Sequence, residues 1–324
     1  MTSQQDETRI GILLAVASAV AFSTAGLFTR LITADAWTIL FWRGLFAGLF
    51  IGGYVVWRHR ARTLDAIRAI GWIGLVPVAC TSLSTICFIN ALRLTDVADV
   101  MVIAATAPFV TAGLGWLWAG ERESPMTMAA STVALAGVAL MFDAGLSAGH
   151  LAGNLLAVAM AVLISIPKVV IRRRRETSML PAASLGAFGC ALAVLPAASP
   201  GVVSGMDLVH LILFGTAQFG LGLLLITIAT RLISATRSAL IESLDTPLAP
   251  LWVWLAFGEV PRLMAGLGGA VVMAAVTADM LLSSRRDRGR RCGGGSCRMS
   301  VASERARPSS CDDMIRRQPG AWSV

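Results

Sequence analysis

The stretch RSALIESLDTPLAPLWVWLAFGE, Arg237 to Glu259, decides how the chain is read. It is long enough to cross a bilayer, because about 20 helical residues span the hydrocarbon core. Its interior nevertheless holds Glu242, Asp245, Pro247 and Pro250. On insertion scales a carboxylate near the middle of a membrane helix costs roughly 2.5–3.5 kcal/mol. Two of them, three residues apart and so on one helix face, call for a site that water and a solute can reach. The prolines weaken the backbone ladder just there, freeing carbonyls that a polar solute can use. Glu242, Asp245 and Pro247 are therefore the first candidate site residues.

The rest of the chain has the composition such a stretch implies. Of 324 residues 56% are hydrophobic and 14% charged, and mean hydropathy is +0.73; a soluble core needs far less apolar sequence. The net charge of +8 rests on arginine, with Lys168 the sole lysine. These basic residues punctuate apolar runs instead of covering one face with interleaved aromatics, so no nucleic-acid partner is expected. Cys80, Cys87 and Cys190 lie inside apolar runs, where a thiol acts as a small hydrophobe. Cys292, Cys297 and Cys311 lack zinc-site spacing, and His59, His150 and His210 are scattered. No metal, cofactor or disulfide framework is expected. Gly11 to Phe28 is long and runs on into further apolar sequence without a clear small-residue cleavage site, so it reads as a retained first helix instead of a signal peptide.

Runs of bilayer length fall near 11–31, 37–57, 71–91, 97–118, 125–143, 151–171, 179–197, 208–229, 236–257 and 262–282. The expected fold is all-α and polytopic, with ten transmembrane helices. Arginine sets the orientation, since cytoplasmic loops hold the excess of basic residues. With the N-terminus inside, inner segments collect Arg58, Arg60, Arg62, Arg68, Arg122, Arg172 to Arg175, Arg231 and Arg237, and outer loops only Arg30, Arg93 and Arg262. Both termini are thus expected in the cytoplasm, with the chain in the cytoplasmic (inner) membrane.

The sequence also repeats. ALRL at Ala91–Leu94 recurs as ATRL at Ala229–Leu232, and WLWAGE at Trp116–Glu121 as WLAFGE at Trp254–Glu259. Both pairs are displaced by 138 residues, and Pro108 and Pro247 match within one residue of that shift. Halves of five helices follow, residues 1–148 and 149–283. Because five is odd, the second copy enters the membrane upside down, the inverted-repeat plan of many secondary transporters. Residues 284–324, rich in Arg, Ser and Gly, are expected to be a disordered cytoplasmic tail.

These blocks, each with a proline in the helix before Gly-Glu, resemble the drug/metabolite transporter superfamily, in its ten-helix EamA form. The resemblance spans about residues 10–283. It implies inverted five-helix repeats around a central cavity, and export or exchange of small metabolites, amino acids or drugs without ATP. Many members carry a carboxylate immediately before the second-repeat proline; here Thr246 holds that place and Asp245 lies one earlier.

Other candidates carry two readings each. As a functional pair Glu242 and Asp245 face the cavity and share a proton; as a structural pair they are neutral or ion-paired to Arg43 or Lys168. Arg43 either reaches the interface or contacts an anionic group of the substrate. Lys168, beside Pro167 near a helix end, is expected to snorkel. Asn90 and Gln218 are substrate contacts or interhelical donors worth about 0.6 kcal/mol. Asp99 is expected at a helix start, where the dipole favours it. Gly44, Gly48 and Gly52, and Ala265, Gly266, Gly269 and Ala270, are expected to be packing seams. Trp116, Trp118, Trp252 and Trp254 suit an interfacial belt. The helices with Pro108 and Pro247 would wall the cavity. The expected partners are a small-molecule substrate and the lipid bilayer, and a homodimer is compatible with the sequence. A carrier is favoured over a membrane-embedded lipid-modifying enzyme, which needs a catalytic cluster, and over a channel, which needs a charged ring or filter.

Overall fold

The structure, a computed structural model, describes residues 4–60, 63–95, 97–120, 122–141, 151–201, 203–258 and 263–282. The expected tail, 284–324, and Glu121 and Glu259 of the repeated blocks lie outside them. Among the described residues all regular structure is helical. In order these are α1 (Gln4–Ser23), α2 (Ala25–Leu31), α3 (Ala36–His59), α4 (Thr63–Ile70), α5 (Leu75–Leu94), α6 (Val97–Ala104), α7 (Ala107–Ala119) and α8 (Pro125–Met141). Then follow α9 (Leu151–Arg173), α10 (Leu180–Val194), α11 (Gly205–Leu213), a π-helical turn over Phe214–Gly220, α12 (Leu221–Leu232), α13 (Ala235–Glu242), α14 (Asp245–Phe257) and α15 (Leu263–Leu282).

Seven helices are long and apolar enough to cross a membrane, or eight if α4 and the following helix, bent by 80° at Gly71, count as one span. The chain is an integral membrane protein. Ten spans were expected, and two of the ten fall short of that measure for separate reasons. Pro125–Met141 has 17 residues. The run near 236–257 is divided into α13 and α14, with Arg237, Glu242 and Asp245 on its two pieces.

Hydroxyl side chains mark the breaks. Thr24 between α1 and α2, Thr106 between α6 and α7, and Ser243 between α13 and α14 each donate to the carbonyl three residues back, at 2.7, 2.6 and 2.6 Å. Such back-bonds compete with the helix ladder and bend it. The 138-residue displacement also governs the helix bounds: α6 and α7 begin and end 138 positions before α13 and α14. Gly120 and Gly258, which end α7 and α14, hold the same left-handed conformation, φ 65° and 71°, which glycine adopts without a Cβ clash.

Packing crosses between the sequence halves. α3 lies along α10, α1 along α12, and α5 along α9. The Gly44–Gly48–Gly52 stripe makes the α3–α10 approach possible: a Cβ on Gly44 would sit 2.8 Å from the Ala187 carbonyl oxygen, and one on Gly48 2.8 Å from the Phe188 ring. Ser184 Oγ then donates to the Gly48 carbonyl at 2.9 Å. The second expected seam is displaced. Gly266 faces open space, whereas Gly268 meets Gly137 of α8, and Gly269 meets Pro247 of α14.

Trp116, Trp118 and Trp254 are exposed, as a lipid-facing or interfacial position allows. Trp252 is instead half-buried, its indole N–H donating to Ser23 Oγ at 2.8 Å and pinning α14 to the end of α1. An ion pair holds the other end of this broken helix. Arg237 Nε lies 3.1 Å from Asp279 Oδ2, and Thr127 Oγ1 donates to Asp279 Oδ1 at 2.9 Å, tying α13 and α8 to α15. Asp279 is fully buried, so its charge depends on this arginine.

Candidate functional site

A cavity of about 250 Å³ lies where α1, α3, α5, α9, α12 and α13 converge. Three charged residues reach it: Arg43 from α3, Lys168 from α9 and Glu242 from α13. Each is delivered by a local feature of its helix.

Arg43 sits seven residues into α3, about 10 Å along its axis. Asp35 caps that helix, accepting the Trp37 and Thr38 amides at 3.1 Å each. The Thr38 hydrogen bonds, with the Trp37 amide adding to them, hold the exposed Asp35 carboxyl below the ordinary carboxylate range. Against Arg43 runs the π-helical turn. Gly215 lets its backbone come close, since a Cβ there would overlap Phe46 and lie 3.1 Å from the Arg43 carbonyl oxygen. The turn puts Phe219 and Phe214 under the guanidinium, 4.2 and 5.6 Å from ring centroid to Cζ, cation–π contacts worth about 0.5–2 kcal/mol. Among the described residues the buried Arg43 Nε has no hydrogen-bond partner, so part of its donor set is unspent.

Lys168 follows Pro167, which lacks an N–H and interrupts the ladder of α9. Its ammonium is 2.7 Å from Glu242 Oε2, with the two side chains 12% and 22% exposed. This corrects the expectation that Lys168 snorkels: the cation turns inward, to the one cavity carboxylate among the described residues. Glu242 is the last residue of α13, where the negative end of the helix dipole opposes a carboxylate. Lys168 offsets both that repulsion and the cost of burial.

Asp245 was expected on the same face as Glu242, but the helix ends between them. Asp245 opens α14, where the positive dipole end favours it, and its Oδ1 accepts from Thr246 Oγ1 at 3.0 Å. It does not line the cavity, and neither do Pro247, Pro108, Gln218 and Asn90. Pro108 occupies the first turn of α7, where its missing N–H is harmless, and Pro247 packs on Gly269. Asn90 donates to the Ile86 carbonyl on its own helix at 2.8 Å. Gln218 donates from the π-helical turn to the Phe22 carbonyl at 3.1 Å, and its Oε1 is buried without a partner. Asp99 is buried at the start of α6 and accepts from Thr95 Oγ1 at 3.3 Å.

The remaining wall combines aromatic faces with hydroxyls. Phe22, Phe88 and Phe219 supply the faces; Thr81, Ser84 and Thr85 of α5 stand opposite Thr227 and Thr230 of α12. Every one of these hydroxyls donates to a carbonyl of its own helix, and Thr230 Oγ1 also bonds Ser238 Oγ at 2.7 Å. These five hydroxyls are not among the candidates named from the sequence. The signal was there: spacings of three and four put hydroxyls on one face of two apolar runs.

Small-solute transporters of the membrane use this plan, a helical bundle around a polar cavity. Residues 9–143 match the EamA-like transporter family. A solved crystal structure of a protein 18% identical to this chain superposes with a TM-score of 0.74, over 84% of this chain and 97% of its own; at that identity the likeness concerns the fold. Comparison with curated proteins gives no match.

Proposed function

We propose that the chain is a secondary transporter, an exporter or exchanger of small metabolites, working by alternating access around this cavity. The carrying observation is the Lys168–Glu242 pair at 2.7 Å, charges that lipid would reject, placed on a cavity wall beside Arg43. In this reading residues 1–148 and 149–283 are oppositely oriented halves of five spans each, and both termini lie in the cytoplasm. The repeated helix bounds support it. So does the exchange of partners, in which the first helix of each half lies on the third of the other: α1 on α12 and α9 on α5, the pattern a two-fold axis in the membrane plane produces.

Breaks beside Glu242 and at Thr106 give the two matched helix pairs, α13–α14 and α6–α7, points at which to bend as the halves rock. Glu242 is the coupling carboxylate, held by Lys168 in this state and released to a proton or cation in the other. The test is uptake into proteoliposomes. Wild-type protein is expected to show saturable counterflow of a screened metabolite, and Glu242→Gln to abolish concentrative uptake without loss of purified protein. Wild-type rates in Glu242→Gln would remove the coupling role. A conductance without counterflow would make the protein a channel.

A further inference from the structure

The cavity's charges carry the reading one step further, to the class of solute. We infer that the substrate is an organic monoanion with an apolar, ring-sized body, its anionic group held at Arg43. The inference rests on the transporter reading above.

The argument is one of charge complementarity. Among the described residues the lining has two cations, Arg43 and Lys168, and one carboxylate, Glu242. Lys168 and Glu242 neutralise one another at 2.7 Å, so one positive charge is left over, at Arg43. Its guanidinium is positioned by aromatic faces, and among the described residues no acid is paired with it. A cation–π contact fixes the group in place without using its N–H donors, and among the described residues Nε has no acceptor. A guanidinium with spare in-plane donors matches a carboxylate or a similar planar anion. An unneutralised charge in a mostly apolar cavity also binds most tightly the ligand that cancels it.

The other walls favour a body over a bare ion. Phe22, Phe88 and Phe219 present ring faces, and Met160, Ile164 and Leu223 are apolar, whereas a small inorganic anion would gain nothing from them. A zwitterion fits less well: its ammonium would have to face Lys168 or separate Glu242 from it. A cation would meet the leftover positive charge directly. Asp245 stands outside the lining and accepts from Thr246; it lies within electrostatic range of Glu242 and Lys168 but not of Arg43, so it acts on that pair and leaves the charge at Arg43 as it is.

A matched series of probes tests this in proteoliposomes and by thermal shift of the purified full-length protein: phenylacetate, phenylacetamide, phenethylamine and phenylalanine carry one ring and differ in charge. Phenylacetate is expected to be transported, and to bind at least ten-fold more tightly than the neutral, cationic or zwitterionic probe. Arg43→Gln should erase that preference while the variant stays monodisperse, Arg43→Lys should keep most of it, and Asp245→Asn should leave it unchanged. Preferred transport of phenylalanine, phenethylamine or phenylacetamide overturns the monoanion inference and leaves the transporter reading standing. So does an anion preference that survives in Arg43→Gln or vanishes in Asp245→Asn. No counterflow of any probe or screened metabolite would instead remove the transporter reading itself.

Discussion

α6 with α7 and α13 with α14 are the same backbone written twice. Their bounds differ by 138 residues throughout and both end at a left-handed glycine. Their chemistry differs. Ala104 ends α6 where Glu242 ends α13, Ala107 opens α7 where Asp245 opens α14, and Asp99 stands where Arg237 stands. The first copy makes a break out of Thr106 and Pro108 alone; the second loads its break with charge and must import partners, Lys168 from α9 and Asp279 from α15. Both pairs of helices thus keep the bend, and of the two only the second brings a charged residue, Glu242, to the cavity. Fold and site are carried by different residues of the same helices.

Several substitutions would break or sharpen this contrast. The largest effect is expected at Arg237→Met, which leaves the fully buried Asp279 without its cation; loss of one partner from a buried pair costs about 3–5 kcal/mol, read as a large drop in Tm of the detergent-purified protein. If Tm holds, the second copy does not depend on imported charge. Lys168→Met should cost less, about 2 kcal/mol, because cavity water screens a pair whose members are partly exposed. Adding Glu242→Leu should restore most of that stability while leaving transport abolished; an equally unstable double variant would show that packing, not charge, was lost.

The seams give the next scale. Gly44→Ala pushes a methyl against the Ala187 carbonyl and should cost about 1–2 kcal/mol, whereas Gly266→Ala, into open space, should gain about 0.5–1 kcal/mol by stiffening a helix. Equal Tm values for the two would mean that the α3–α10 approach is not close. The smallest effect is at the α3 cap. Asp35→Ala should cost about 1 kcal/mol. The folded Asp35 carboxyl is held below its ordinary value, chiefly by Thr38, so its stabilisation is present above the unfolded-state value and fades as pH falls through the folded one. The Tm gap between wild type and Asp35→Ala should therefore close on acidification below about pH 4; a gap that widens there would show that the cap works through something other than its charge.

How much of this could be read beforehand depends on the range of the interaction. Glu242 was legible because a carboxylate in an apolar run is costly wherever the chain folds. The Gly44–Gly48 stripe was legible because period four is a property of one helix. The shared bounds of α6–α7 and α13–α14 were legible because a displacement needs no coordinates. The pairing of Lys168 with Glu242 was legible only as one alternative beside Arg43, because residues 168 and 242 meet only where α9 and α13 converge. A lone lysine near a helix end therefore looked interfacial. The separation of Glu242 from Asp245 was missed for a local reason. Periodicity treats an apolar run as one helix, whereas Ser243 bonds back to Leu240 and turns the chain between the two carboxylates.

The π-helical turn over Phe214–Gly220 has a consequence for length itself. A π turn holds one residue more than an α turn over the same rise, so α11 and α12 are out of phase with each other by about 100°. Removing a single residue from this turn, Ala217 for instance, would let the span close up as plain α-helix. Phe214 and Phe219 could not then both stay beneath Arg43, although every side chain around the arginine would still be encoded. In this span a one-codon deletion is a graver change than most substitutions, and an insertion elsewhere in it could not compensate.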